Sequence, residues 1–267
     1  MRFEGAGWTD VGRVKQVNQD SFAIKIAATD AGDVALVAVA DGMGGLNNGE
    51  LASATAVRAL SEWFDEKLPL SLEAMSTSVG GFRQFVEGQW SGMAQELNLR
   101  IMRHGMRTHQ DMGTTLTALL AIGARYSIIH VGDSRVYEVA DDAITRLTHD
   151  QTFVQREMDA GRMTLEEARV HPRRNVLLQC LGASKEVHPD VASGNLRKDA
   201  TYLLCSDGFR HVLADDELKS ALCPSALDGK SREEREGVLR GLIDTVMERG
   251  EKDNITAVVL SVSEGRW

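Results

Sequence analysis

Apolar residues fall along the chain in short clusters separated by polar turns. Runs at Phe22 to Ile26, Val34 to Ala40, Thr115 to Ile122, Ser127 to Val131, Val136 to Val139, Tyr202 to Cys205 and Ile255 to Val262 are short and rich in β-branched residues, the signature of strands. The run Val34 to Ala40, with Asp33 and Asp41 at its ends, reads as a buried strand. A different period marks Glu50 to Leu68, where Leu51, Ala54, Val57, Leu60 and Phe64 recur three or four apart and predict a helix. A second long helix is predicted around Val79 to Met106. Shorter ones are predicted at Phe153 to Ala160, Leu165 to Val170, Asp216 to Ala221 and Arg232 to Glu248, with Thr164 and Ser231 as N-caps. Two residues, Gly123 and Ala124, separate two of the middle strands. A link that short allows a hairpin and not a crossover, so the sheet is expected to be antiparallel and covered by helices.

Length and composition narrow the picture. A chain of 267 residues, 43% hydrophobic and 26% charged, can bury a substantial core and has neither a repeat nor a long linker, so one domain spanning 1–267 is the simplest reading. Thirty basic against 39 acidic residues give a net charge of −9, which argues against nucleic acid or an anionic membrane as partner. No apolar run approaches the roughly 18 residues of a membrane span, and MRFEGAGWTD lacks a signal-peptide core. Cys180, Cys205 and Cys223 are too scattered for a disulfide framework or a zinc knuckle and read as buried thiols. A cytoplasmic location fits these features.

Acidic residues stand at the ends of the predicted strands. Asp41 ends one in Ala-Asp-Gly-Met-Gly-Gly, Asp207 another in Cys-Ser-Asp-Gly, and Asp133 a third in Val-Gly-Asp-Ser-Arg; Asp20 precedes the first strand and Asp253 the last. Any one of these reads as ordinary Asp-Gly turn chemistry. Five together suggest strand ends that converge on one partly desolvated site, where repulsion demands a compensating cation. An oxygen-only donor set suits Mg2+ or Mn2+. A pair of such ions can acidify a water for in-line attack on phosphorus, which is the chemistry of phosphoester hydrolysis. Arg13, seven residues before Asp20, is placed to bind phosphate oxygens with its guanidinium.

The blocks Gly12-Arg13-Val14-Lys15 with Asn18-Gln19-Asp20-Ser21, Ala40-Asp41-Gly42-Met43-Gly44-Gly45, Gly113-Thr114-Thr115, Val131-Gly132-Asp133-Ser134-Arg135, Ser206-Asp207-Gly208 and Asp253-Asn254 resemble, in order and over nearly the whole chain, the metal-dependent protein phosphatases of the PPM family, also called type 2C. The resemblance implies an α+β fold, a four-layer αββα sandwich of two antiparallel sheets flanked by helices. It implies that Asp41 bridges two metal ions, that the Gly42 carbonyl binds the second, and that Asp207 and Asp253 bind the first. By the same resemblance Asp20 orients the water or its neighbours, Asp133 with Asp207 holds a third, weaker ion, Arg13 binds the substrate phosphate, and Gly113 to Thr115 pack under the site. The implied substrates are phosphoserine and phosphothreonine proteins, and the implied setting is a monomeric bacterial enzyme that opposes a Ser/Thr kinase.

Two residues depart from the family pattern. Gln19 stands where Glu is common, removing a charge near the second ion, and Met43 stands where eukaryotic members carry a His, so it cannot transfer a proton. Residues 148–182 resemble the bacterial flap subdomain. His149 and His171 within it are candidate acids, although a lone His is more often structural. Gln19 and the altered flap motivate an alternative, a catalytically weak phosphoprotein-binding regulatory module on the same fold. A phosphodiesterase or nuclease ranks below both, because no basic, aromatic-lined groove is present in the sequence.

Overall fold

The computed structural model describes residues 1–29, 32–44, 48–75 and 82–263. Gly45 of the glycine-rich block and the Val79 start of the second long helix lie outside the described residues. The first part of the chain forms β1 (Arg2–Asp10), β2 (Asp20–Thr29), β3 (Gly32–Gly44), α1 (Gly49–Glu66), α2 (Leu68–Met75) and α3 (Phe82–Thr108). A strand-rich middle follows with β4 (Met112–Thr114), β5 (Leu116–Ile122), β6 (Arg125–Val131), β7 (Arg135–Val139) and β8 (Ile144–Arg146), then α4 (Phe153–Asp159) and α5 (Leu165–Val170). The chain continues with β9 (Asp190–Asn195), β10 (Ala200–Cys205), α6 (Asp207–Arg210), α7 (Asp215–Leu222), α8 (Pro224–Leu227), α9 (Arg232–Glu248) and β11 (Ile255–Ser263).

Among the described residues the strands form two antiparallel sheets, one ordered β1-β11-β10-β7-β8 and the other β2-β3-β5-β6-β9, with β4 paired to β3. The Gly123-Ala124 link closes the β5–β6 hairpin as expected, with Ile122 opposite Arg125 and Gly123 at a positive φ of 57°. Alternation along β3 shows how the layers stack. Ala35, Val37 and Val39 face the other sheet and meet Val136, Tyr202, Leu204, Val258 and Leu260. Leu36, Ala38 and Ala40 face outward and meet Ala56, Leu60, Trp63, Trp90 and Leu97 of α1 and α3. Because both faces are covered, the strand is apolar throughout rather than alternating. The opposite sheet buries its outer side under α7 and α9, through Leu218, Leu222, Leu239, Ile243 and Val246. The architecture is therefore the expected four-layer αββα sandwich.

Local sequence accounts for most element boundaries. Thr164 and Ser231 both form complete capping boxes, with Glu167 and Glu234 returning the bond to the cap backbone. The helix predicted to run to Leu68 breaks at Lys67, and α2 begins there with Pro69 in its first turn. Strands β1, β4, β8 and β9 and the short helices α6 and α8 were not apparent from the periodicity. The three cysteines are buried free thiols, as expected. Among the described residues no helix is long and apolar enough to cross a membrane.

Candidate active site

The five aspartates converge on one edge of the sandwich. Asp20 opens β2 directly opposite Asp41 near the far end of β3. Asp207 opens α6 just past β10, Asp253 precedes β11, and β10 and β11 are neighbours in the other sheet. Asp133 lies in the turn between β6 and β7. Each strand thus delivers its carboxylate where its own ladder ends. Burial is the largest influence on Asp41 and raises its pKa well above the usual carboxylate range, with Asp20, Asp207, Asp133 and Asp253 all adding repulsion. Asp20 and Asp133 are each pushed up to about 7, again chiefly by burial.

The main chain around these carboxylates is tightly held. Thr115 receives the Asp41 N–H at 2.9 Å on its hydroxyl, while Thr114 donates its hydroxyl to the Asp41 carbonyl at 3.0 Å. The two threonines therefore pack under the site as expected, and their oxygens serve the Asp41 backbone. Gly42 lies so close to the start of α1 that a Cβ there would sit 2.2 Å from the Gly49 carbonyl oxygen and 2.4 Å from that of Gln19. Only glycine allows that approach. The Gln19 side chain reaches toward the Gly44 carbonyl at 3.4 Å. Ser206 donates to Asp20 Oδ2 at 2.8 Å and fixes its orientation.

Asn254 performs a role that the sequence did not reveal. Its amide donates to the carbonyls of Val11 and Val17 at 2.9 and 3.1 Å, and its oxygen accepts the Gln19 N–H at 2.9 Å. One side chain therefore clamps the whole loop that carries Arg13 and Lys15 against the start of β11. Arg13 is exposed on that loop. Lys15, also exposed, pairs with Asp253 Oδ1 at 2.9 Å; that bond raises its pKa, with smaller contributions from Asp41 and Asp207.

Further cations sit beside Asp133. Arg210, three residues after Asp207 in α6, places Nη2 3.2 Å from the Asp133 carbonyl, 3.4 Å from its Oδ2 and 3.5 Å from Asp150 Oδ2. Arg135 grips Asp150 with two bonds of 2.8 and 2.6 Å, holding that carboxyl down to about 2 against the effect of its burial. His211 lies 3.7 Å from Asp207 Oδ2 and 3.4 Å from Glu251 Oε2. Neither His149 nor His171 stands among the carboxylates' partners: His149 pairs with Asp159 at 2.7 Å, and His171 stacks on Phe153. Both fit the structural reading of a lone His. Residues 148–182 are tied to the site through Gln151, whose N–H bonds the Gly132 carbonyl and whose side-chain oxygen accepts the Gly132 N–H, both at 2.8 Å.

The donor set suits hard divalent ions. Asp20 Oδ1 and Asp207 Oδ1 are buried without a hydrogen-bond partner, an arrangement costly for a carboxylate unless a cation satisfies it. Among the described residues no three acidic, His or Cys side chains already stand at ligand spacing. Asp20, Asp133 and Asp253 are instead engaged with Ser206, Arg210 and Lys15. Residues 11–246 match the family model described as protein phosphatase 2C. The chain belongs to that family. It is 35% identical over 258 residues to the serine/threonine protein phosphatase PstP of Mycobacterium tuberculosis, covering 96% of this chain and 44% of PstP, so it spans less than half of that relative. It is 31% identical to the serine/threonine phosphatase stp of Listeria innocua, over 94% of this chain and 93% of the relative. Among solved structures, the S. agalactiae serine/threonine phosphatase superposes with a TM-score of 0.81 at 28% identity, covering 98% of this chain and all of that one. The catalytic domain of PstP in complex with two manganese ions superposes with a TM-score of 0.75 at 32% identity, covering 98% of this chain and 99% of that one.

Proposed function

We propose that this protein phosphatase 2C family member hydrolyses phosphoserine and phosphothreonine on protein substrates with two divalent ions, Mn2+ or Mg2+. The observation that carries the reading is the set of aspartates at one sandwich edge, with Asp20, Asp133 and Asp207 buried and carboxylate oxygens on Asp20 and Asp207 left unpartnered. Asp41, the Gly42 carbonyl, Asp207 and Asp253 would hold the ions. When bound, the ions supply an electrophilic field to the phosphoryl oxygens and lower the pKa of a water. Arg13 binds two oxygens of the phosphate and sets its position on the exposed rim. Asp20, turned by Ser206, directs its free Oδ1 into the site as an acceptor that orients water. Met43 has no proton to give, so the leaving group takes its proton from solvent held in the site.

Residues 148–182 act as the flap that shapes access for the phosphoprotein. The setting that fits is a monomer in the cytoplasm opposing a Ser/Thr kinase. The phosphatase names of the Mycobacterium and Listeria relatives support this reading, as does the pair of manganese ions in the PstP structure.

The test is release of phosphate from p-nitrophenyl phosphate and from a phosphothreonine peptide, with Mn2+, with Mg2+ and with EDTA, for the wild type and Asp207→Asn. Release that needs metal and vanishes in the variant is expected. Folded wild-type protein that releases nothing under either metal would overturn the reading in favour of a phosphoprotein-binding module.

A further inference from the structure

We infer that Arg210 is a resident cation on Asp133, the aspartate that the family resemblance pairs with Asp207 in holding a third, weaker metal ion. The inference rests on the two-ion reading above and limits it to two. Arg210 is delivered by the same turn of α6 as Asp207, so a metal-binding carboxylate and a guanidinium reach the site on one short element. Its side chain is 11% exposed and that of Asp133 8%, so the pair is withdrawn from solvent and poorly screened. One nitrogen, Nη2, serves both the carbonyl and the carboxylate of Asp133 and lies within ion-pair distance of Asp150.

Charge balance points the same way. Asp133 and Asp150 are already faced by the guanidinium groups of Arg210 and Arg135, and Arg146 adds a further contact to Asp150 at 3.7 Å, so no cation is lacking on this side. A divalent ion on Asp133 would have to displace a guanidinium that no accessible pH neutralises, and would then face that displaced charge at close range. On the Asp207 side, His211 stands 3.7 Å from Oδ2 and adds a bulky ring with no negative charge to contribute. Asp133 is therefore already engaged by a guanidinium, and Asp207 has an imidazole beside it. Arg210 acts here as a positioning residue: it holds Asp133 and the Asp150 anchor of residues 148–182 in one arrangement whatever the metal concentration.

The experiment counts Mn2+ per chain by equilibrium dialysis and elemental analysis over a range of Mn2+ concentrations, with circular dichroism and thermal melting to verify folding. The wild type is expected to saturate at two ions, and Arg210→Lys, which keeps the cation, at two as well. Arg210→Ser is expected to gain a third ion within the concentration range over which the wild type stops at two. Adding Asp133→Asn to Arg210→Ser should return the count to two. Three ions on the wild type would overturn the inference without any variant, and so would a folded Arg210→Ser that stops at two. Wild type that binds none would overturn the two-ion reading itself, a result distinct from a count of three.

Discussion

The two halves of the acidic edge are built on opposite principles. Around Asp133 and Asp150 every carboxylate has a guanidinium within 3.5 Å, and the group is electrically closed. Around Asp20 and Asp41, among the described residues, hydroxyls and backbone groups do the holding and no cationic side chain forms an ion pair with either carboxylate. The comparison teaches how one cluster of like charges divides its work. The closed half anchors residues 148–182 and the turn that carries Asp133, and the open half retains the negative potential that attracts divalent ions.

Breaking the open half should have the largest effect. On the proposed function, Asp207→Asn removes a charge from a metal ligand at constant volume and is expected to lower kcat/KM for a phosphothreonine peptide by on the order of 10³-fold with the melting temperature little changed. Breaking the closed half should act on the fold instead. Asp150→Ala strands Arg135 and Arg210 without their shared carboxylate, and chemical denaturation should register a loss of about 3 kcal/mol or more, as for other buried pairs cut on one side. Adding a divalent cation should stabilise the open half: Mn2+ at about one hundred times its Kd is expected to add ~2.7 kcal/mol, seen as a raised melting temperature that EDTA reverses.

Acid probes the closed half through His130, whose buried ring donates from Nε2 to the His149 carbonyl and meets the Thr117 hydroxyl at Nδ1. Burial lowers its pKa from 6.5 to about 4. The unfolded chain therefore binds a proton that the folded one refuses between those values, and stability falls as pH drops through that window. One such proton contributes a slope of up to about 1.4 kcal/mol per pH unit, which His130→Gln should remove from the denaturation profile. Arg13→Ala should have the smallest effect, a roughly tenfold rise in KM with kcat nearly unchanged, because on the proposed function this exposed residue grips only the phosphate and contributes equally before and during the reaction.

The same contrast separates what could be read in the sequence from what could not. The open half was legible because its aspartates abut apolar strand runs, and a run such as Val34 to Ala40 announces a doubly covered strand. Of the closed half only Asp133 was legible, because Arg135 opens β7, Asp150 follows β8 and Arg210 ends α6, and only the folded topology pairs them. Strand β1 escaped notice for a packing reason: Gly5 and Gly7 interrupt its pattern where the two sheets press together, and a Cβ there would sit 2.6 Å from Ile24 and 2.7 Å from Phe22. Strand β9, Asp-Val-Ala-Ser-Gly-Asn, lies at a sheet edge and is too polar to declare itself.

Asn254 links this arrangement to the way the protein is made. Strand β11 is laid between β1 and β10, and the residue that leads into it clamps the Val11 to Gln19 loop from the opposite end of the chain. A ribosome-bound chain that has not yet released β11 has neither Asp253 nor a fixed Arg13 loop. On the proposed function, activity then requires β11 to be docked, because until that strand is in place the acidic edge lacks both Asp253 and the clamp on the Arg13 loop.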